Sequence, residues 1–407
     1  MVVDQQSRPL ANGGRGADRM LSRALVGCAL ALLVTNLVFG TVVAGSNAES
    51  FGNAMEHLFE PWHFQVHNDS WRFLIRASQE FRYPNPRPLY PRVLFYEGHK
   101  FQYPPTSLLI TEAGYAIERL FEGRERSPEM LEGLNLLSWL AVFAIGWSSI
   151  QVLHRSRCAH EVPEVSARWV QDASVALLVS AYAPLLWGYE LGQVQTWLDA
   201  LFAVALAMWL AGAMASAGML LGLSALVKPQ AGLVLLWGLV RGERRFALGF
   251  AATAIAGLLL SIALFGVRNH WDYLFVLSFI GSRGEAYAAN QSLNGLLNRL
   301  LHPSAAQATQ FALHRFPDFD PRVYWGTALG SIALVAFALR RRPTGRSLDG
   351  AIDLSLVLLA ATLTAPIVWE HHYGFLIPVY ALIAPPTRQR ARPRASGDIG
   401  LSWCHCS

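Results

Sequence analysis

The chain has 407 residues, of which 53% are hydrophobic and 15% charged, with a formal net charge of +5 and a mean hydropathy of +0.29. A soluble globular domain carries roughly a quarter charged residues, so the composition excludes an ordinary soluble protein and points to an all-α, polytopic integral membrane protein. The positive charge is almost entirely arginine, Lys100 and Lys228 being the only lysines, and it falls in short clusters between apolar runs. That is the pattern of cytoplasmic loops, not of a nucleic-acid-binding face.

Residues 1–23 are polar and carry Arg8, Arg15, Arg19 and Arg23, which marks a cytoplasmic N-terminus. The apolar run Ala24 to Ala44 is long enough to span and reads as a retained helix rather than a cleaved signal. It therefore exits outward, and residues 46–105 form a large first extracytoplasmic loop. Within that loop Asp69 to Arg82 has the spacing of an amphipathic helix, with Trp71, Phe73, Leu74, Ala77 and Phe81 on one stripe and Arg72, Arg76 and Glu80 on another face. Pro84, Pro86, Pro88 and Pro91 then oppose regular structure.

Thr106 to Phe121 is apolar but short and reads as a re-entrant or interfacial segment. Spans follow over Gly133 to Leu153, Ala173 to Tyr189 and Thr196 to Ala213. Ala215 to Val240 is best read as a helical hairpin with its tip at Lys228-Pro229-Gln230, because a single span would put Arg241, Arg244 and Arg245 outside. Phe246 to Val267 spans, residues 268–323 form a second outer loop, and Tyr324 to Leu339 returns to an arginine cluster. Ala351 to Val368 and Gly374 to Pro385 flank the turn Trp369-Glu370-His371-His372-Tyr373. The whole is about ten transmembrane helices over residues 24–385, followed by a basic tail, 386–407, that reads as disordered. Cys28, Cys158, Cys404 and Cys406 have no zinc-ligand spacing.

On this topology Asp69, Gln193, Lys228, Asn290 and His371-His372 all fall on the outer side. Asp69, flanked by His67 and Asn68, is either a general base or part of a helix N-cap. Lys228 is a cation at membrane depth, suited to a lipid phosphate, unless it snorkels to the headgroups. Glu370, His371 and His372 suit hydrogen bonding to sugar or phosphate, or an interfacial belt; adjacent histidines do not make a metal pair on one helix face. Gln193, Gln195 and Asp199 can bind sugar hydroxyls or join helix to helix, the latter favoured for Gln195 and Asp199.

Five short stretches occur in order: Phe101-Gln102-Tyr103-Pro104-Pro105, Leu191-Gly192-Gln193-Val194-Gln195, Val227-Lys228-Pro229-Gln230, Asn290-Gln291-Ser292-Leu293-Asn294-Gly295 and Trp369-Glu370-His371-His372-Tyr373. Together they resemble glycosyltransferase family 87, of the GT-C superclass, over nearly the whole chain. The resemblance implies an outward-facing mannosyltransferase of the bacterial cytoplasmic membrane. Its donor would be a polyprenyl-phosphate sugar and its acceptor a lipid-linked or cell-envelope glycan. It implies Asp69 as general base; the residues' own chemistry assigns Lys228, His371 and His372 to the donor phosphate, and His67, Tyr103, Gln193, Asn290, Gln291 and Glu370 to substrate. Asn68 stands where many GT-C enzymes carry a second acidic residue, so neither a metal nor another cofactor is expected. A transporter or flippase of polyprenyl-phosphate-linked sugars is the competing reading, although internally repeated spans are not found.

Overall fold

In a computed structural model of the chain, residues 68–82, 88–99, 101–122, 127–156, 165–303, 316–340 and 348–384 are described. The N-terminal tail, the first apolar run, His67, Lys100, all four cysteines and the stretch from Pro385 onward lie outside them. Every regular element among the described residues is helical.

Helix α1 (Asp69–Glu80) is the expected amphipathic helix, burying Trp71, Leu74 and Ala77 and exposing Arg72. Glu80, expected on its polar face, is instead 2% exposed. The π-helical turn Pro91–Tyr96 folds over it, so that Arg76 Nη2 and Arg92 Nε each lie 3.1 Å from its carboxylate. Pro91 opens that turn rather than preventing it, since the first helical position needs no N–H. A 3₁₀ turn, Pro105–Leu108, leads into α2 (Leu109–Glu122), and α3 (Ser127–Arg155) follows.

The apolar run read as one span from Ala173 to Tyr189 is two helices, α4 (Val165–Ala181) and α5 (Ala183–Glu190), bent by 53°. Pro184 causes the break: it lacks an N–H, and its ring would clash with the carbonyl one turn back. The core then passes through α6 (Gln195–Leu210), α7 (Met214–Val227) and α8 (Leu233–Arg241) into the long α9 (Arg244–Arg283). Gly266, at φ 77° and ψ 149°, interrupts α9, a conformation only glycine adopts without strain. The first arm of α9 is roughly 33 Å long at 1.5 Å per residue, enough to cross a hydrocarbon core. Beyond the break the chain is still helical to Arg283 and buries Tyr273, Val276 and Ile280. Helices α10 (Leu293–Leu301), α11 (Pro321–Arg340), α12 (Leu348–Thr364) and α13 (Leu376–Ile383) complete the body.

Close backbone approach locks α7 to α9. A Cβ on Gly218 would fall 2.0 Å from the Phe246 carbonyl oxygen, one on Gly222 2.7 Å from that of Phe250, and one on Gly257 2.3 Å from Leu226 Cδ1. Gly218 and Gly222 form a small-xxx-small stripe, the surface that lets membrane helices meet. The order of these contacts makes α7 and the first arm of α9 parallel. The chain between them has doubled back, as a hairpin with its tip at Lys228 requires. Pro229 and the 3₁₀ turn Pro229–Gly232 make the reversal, and α8 returns.

Met130–Arg155, Arg244–Arg283 and Pro321–Arg340 are long and apolar enough to cross a membrane, as is the bent α4–α5 pair taken as one span. Only 17% of the apolar windows of α9 and α11 is buried within the protein, and Leu248, Leu259 and Ile332 are exposed. Those faces need lipid, and the chain is a membrane protein.

Arg241, at the far end of α8, is paired with Asp353 of α12 at 2.7 Å, and Trp237 Nε1 donates to the same carboxylate at 2.6 Å. Asp353 is fully buried. Asp353→Ala would leave the guanidinium buried without its partner and should cost about 3–5 kcal/mol of stability. Unfolding of the purified protein in detergent checks this, and a loss below about 1 kcal/mol would contradict it.

Candidate active site

Backbone groups set the position of α1. The Asp69 and Ser70 amides donate to the carbonyls of Leu191 (2.8 Å) and Gly192 (3.3 Å). Asn68 holds a left-handed conformation before the helix, and its side chain accepts from Asn135 Nδ2 at 3.1 Å instead of capping. The first two amides of α1 are thus satisfied by the loop between α5 and α6.

Ser70 then links two expected site residues. Its hydroxyl donates to Gln193 Oε1 at 2.7 Å, which leaves the Tyr103 hydroxyl to donate to Ser70 Oγ at 2.8 Å. Gln193 Nε2 reaches Asp69 Oδ2 at 3.4 Å. Burial pushes the Tyr103 hydroxyl up to about 12, so it stays protonated and serves as a donor.

Asp69, Tyr103 and Gln193 line a cavity of about 190 Å³. Lys228 and Gln230, at the tip of the hairpin, and His371 and His372 line other parts of it, and Tyr273 and Ile280 from the second arm of α9 supply apolar wall. Asp69, Tyr103, Gln193, Lys228, His371 and His372 are therefore brought together from five separate stretches of chain.

Asn290, Gln291 and Glu370 are not brought to the cavity wall. Asn290 is fully buried and acts as a clamp. Its Nδ2 donates to the carbonyls of Glu285 (2.8 Å) and Pro366 (3.1 Å), and its Oδ1 accepts from the amides of Val368 (2.9 Å) and Ser292 (3.2 Å). Gln291 adds a backbone bond to Val368 O at 2.5 Å. Together they fasten the segment before α10 to the segment that carries the histidines.

Glu285 was not expected. It is 1% exposed, lines the cavity and accepts from Trp369 Nε1 at 2.8 Å. Its only signal in the sequence is a carboxylate beside Gly284, just ahead of the Asn290 motif. Among the described residues, no group of three or more His, Cys, Asp or Glu side chains is arranged to hold a metal ion.

The sequence model of glycosyltransferase family 87 matches residues 101–366. The chain belongs to glycosyltransferase family 87. No curated protein and no solved structure matched it. Within this family 87 glycosyltransferase, Tyr103, Gln193, Lys228 and Glu285 lie inside the matched stretch, while Asp69 and His371-His372 flank it. The fold brings both flanks to the same cavity.

The two histidines sit in the 3₁₀ turn Glu370–Tyr373, between α12 and α13. Burial, then the charge of Lys228, holds both imidazoles well below the ordinary value of 6.5. Trp369 N–H donates to His372 Nδ1 at 3.1 Å, so the neutral ring carries its proton on Nε2. Because the folded protein keeps these rings neutral where an unfolded chain would bind protons, their contribution to stability is complete above pH ~6.5 and is lost as pH falls below it. The thermal unfolding temperature in detergent should decline as pH falls below that value. His371→Gln should flatten the decline, and an equally steep decline in the variant would refute the assignment.

Proposed function

We propose that this glycosyltransferase moves mannose from a polyprenyl-phosphate donor to a lipid-linked or cell-envelope glycan at the outer face of the bacterial cytoplasmic membrane. In this reading the chain crosses the membrane about ten times, counting the first apolar run and the shorter helices, with a re-entrant segment and a large first outer loop. The observation that carries the reading is that Asp69 and Lys228, far apart in sequence, line one cavity.

The chemistry follows from that pairing. The acceptor hydroxyl attacks the anomeric carbon as the bond from that carbon to the phosphate oxygen breaks. The transition state is oxocarbenium-like, as in glycosidases. Asp69 takes the hydroxyl proton, and the departing polyprenyl phosphate keeps the bond electrons. Lys228 offsets the charge that grows on the phosphate, with the Nε2–H of His372 as a further donor. Tyr103 and Gln193 orient the acceptor side, next to Asp69. A single displacement with one base inverts the anomeric carbon. The apolar walls suit a prenyl chain, and holding both substrates at the water–lipid boundary supplies proximity. The chain's own side chains supply the base and the phosphate contact, so this mechanism requires neither a metal nor another cofactor.

Membranes containing the protein, incubated with radiolabelled polyprenyl-phosphate mannose, should yield a labelled glycolipid or glycan. Asp69→Asn should lower that rate by about 10²–10⁴ while expression and folding are unchanged. Full activity in Asp69→Asn would sink the base assignment. Label that crosses the bilayer without being transferred would point instead to a flippase.

A further inference from the structure

Lys228 has a neighbour to which the mechanism above gives no role. Asp199 lies one turn beyond Gln195 on α6 and is 1% exposed. Gln195 Nε2 donates to Asp199 Oδ1 at 2.7 Å, and Lys228 Nζ donates to Gln195 Oε1 at 2.6 Å. The i, i+4 spacing puts the amide and the carboxylate on one helix face. Each end of the amide is therefore matched: its N–H faces the carboxylate and its carbonyl faces the lysine amine.

Two further features centre on the same carboxylate. A Cβ at Gly374 would fall 2.1 Å from Asp199 Oδ2, so the residue after the histidine turn has to be glycine for Asp199 to sit there. A second cavity, of about 50 Å³, opens behind Lys228, with Gln195, Asp199 and His372 in its wall. Lys228 thus faces the main cavity on one side and this carboxylate-lined recess on the other. A buried carboxylate is costly unless a cation offsets it.

We propose that Asp199 is a positioning residue for Lys228, which it keeps charged and aimed into the main cavity through the Gln195 amide, ready for a phosphate ester. The proposal rests on the donor-phosphate role of Lys228 given above. The other ionisable groups that share a cavity wall with Lys228 are Asp69 of α1, Tyr103, Tyr273 of α9, Glu285, and His371 and His372 of the turn. The direct hydrogen bond from Nζ goes to Gln195, and that bond gives Asp199 its hold on the ammonium.

Lys100 and Lys228 carry the only side-chain amines in the chain. Brief acylation of the full-length protein with acetic anhydride at fixed pH, read by mass spectrometry, therefore reports the free-amine fraction of Lys228 with Lys100 as internal reference. Asp199→Asn should raise Lys228 acylation relative to Lys100 on the order of tenfold, because the nearby opposite charge is gone. The double variant Gln195→Glu with Asp199→Asn moves the carboxylate next to the ammonium and should restore the wild-type ratio. An unchanged ratio in folded Asp199→Asn overturns the proposal. So does a raised ratio that the double variant fails to restore, since that reports loosened packing. If Asp199→Asn does not fold, Gln195→Met breaks the same link and must give the same rise. In transfer assays Asp199→Asn should lose rate only on the alkaline side of the pH profile. The acylation change without any sugar transfer by the wild type would overturn the proposed function and leave the relay standing; transfer with unchanged acylation would overturn the relay alone.

Discussion

An ammonium inside an apolar helical body must meet oxygen, and much of this fold is arranged around that requirement. Helix α7 stops at Val227 and Lys228 is extended, because Pro229 disfavours a helical conformation in the residue before it and has no N–H with which to continue α7; Pro229 then opens the 3₁₀ turn. The broken backbone turns the Lys228 side chain to the Gln195 amide on α6, one turn from Asp199. Such a break is tolerated at membrane depth only where protein or water covers it. Here the α6 side chains and the walls of two cavities surround it. The glycine stripe between α7 and α9 holds the hairpin arm in register, so the position of Lys228 follows from helix packing and not from a loop's preference.

The rest of the cavity is assembled by neutral hydrogen bonds between segments far apart in sequence. Leu191 and Gly192 carbonyls receive the first amides of α1 and thereby set Asp69 beside Gln193. Asn290 ties Glu285 and Ser292 to Pro366 and Val368, which carries Trp369 and the histidine turn to the same wall. Each such bond is worth only about 1 kcal/mol net, but a buried acceptor left unmade costs more. These clamps therefore act as geometric constraints more than as sources of stability. At the far end of α8, the buried Arg241–Asp353 pair joins the hairpin's return arm to α12, so both ends of that arm are anchored.

In the reaction proposed for this glycosyltransferase, a water-seeking sugar and an oil-seeking carrier meet. A cavity with Asp69, Gln193 and Lys228 on some walls and Tyr273, Leu277 and Ile280 on others suits both halves. Its neutral histidines add hydrogen-bond donors without adding a second strong positive charge.

Much of this was legible in the residues. Hydropathy gave the helical membrane class, the positive-inside bias gave the reversal at Lys228, and five short motifs in order gave the family. The outer-side placement of Asp69, Gln193, Lys228 and the histidines came from the same bias and is compatible with their meeting in one cavity. Other features escaped. Window-averaged hydropathy passes over a single residue, so the break before Pro184 was hidden inside a continuous apolar run. The run ending at Val267 stops beside the Gly266 kink, but the helix beyond it, to Arg283, lies in the stretch read as an outer loop. Glu80 was assigned to a polar face by period, yet two arginines from different turns neutralise it in the interior. Asn290 looked like a binding residue and serves as a clamp. Glu285 carried no motif at all. The sequence by itself determined which segments are helical, which are apolar and which residues can carry charge, because those follow from local periodicity and composition. Which of those residues share a cavity was decided only by the tertiary structure. That depends on glycine-lined helix contacts and buried hydrogen bonds between positions with no local relation to one another.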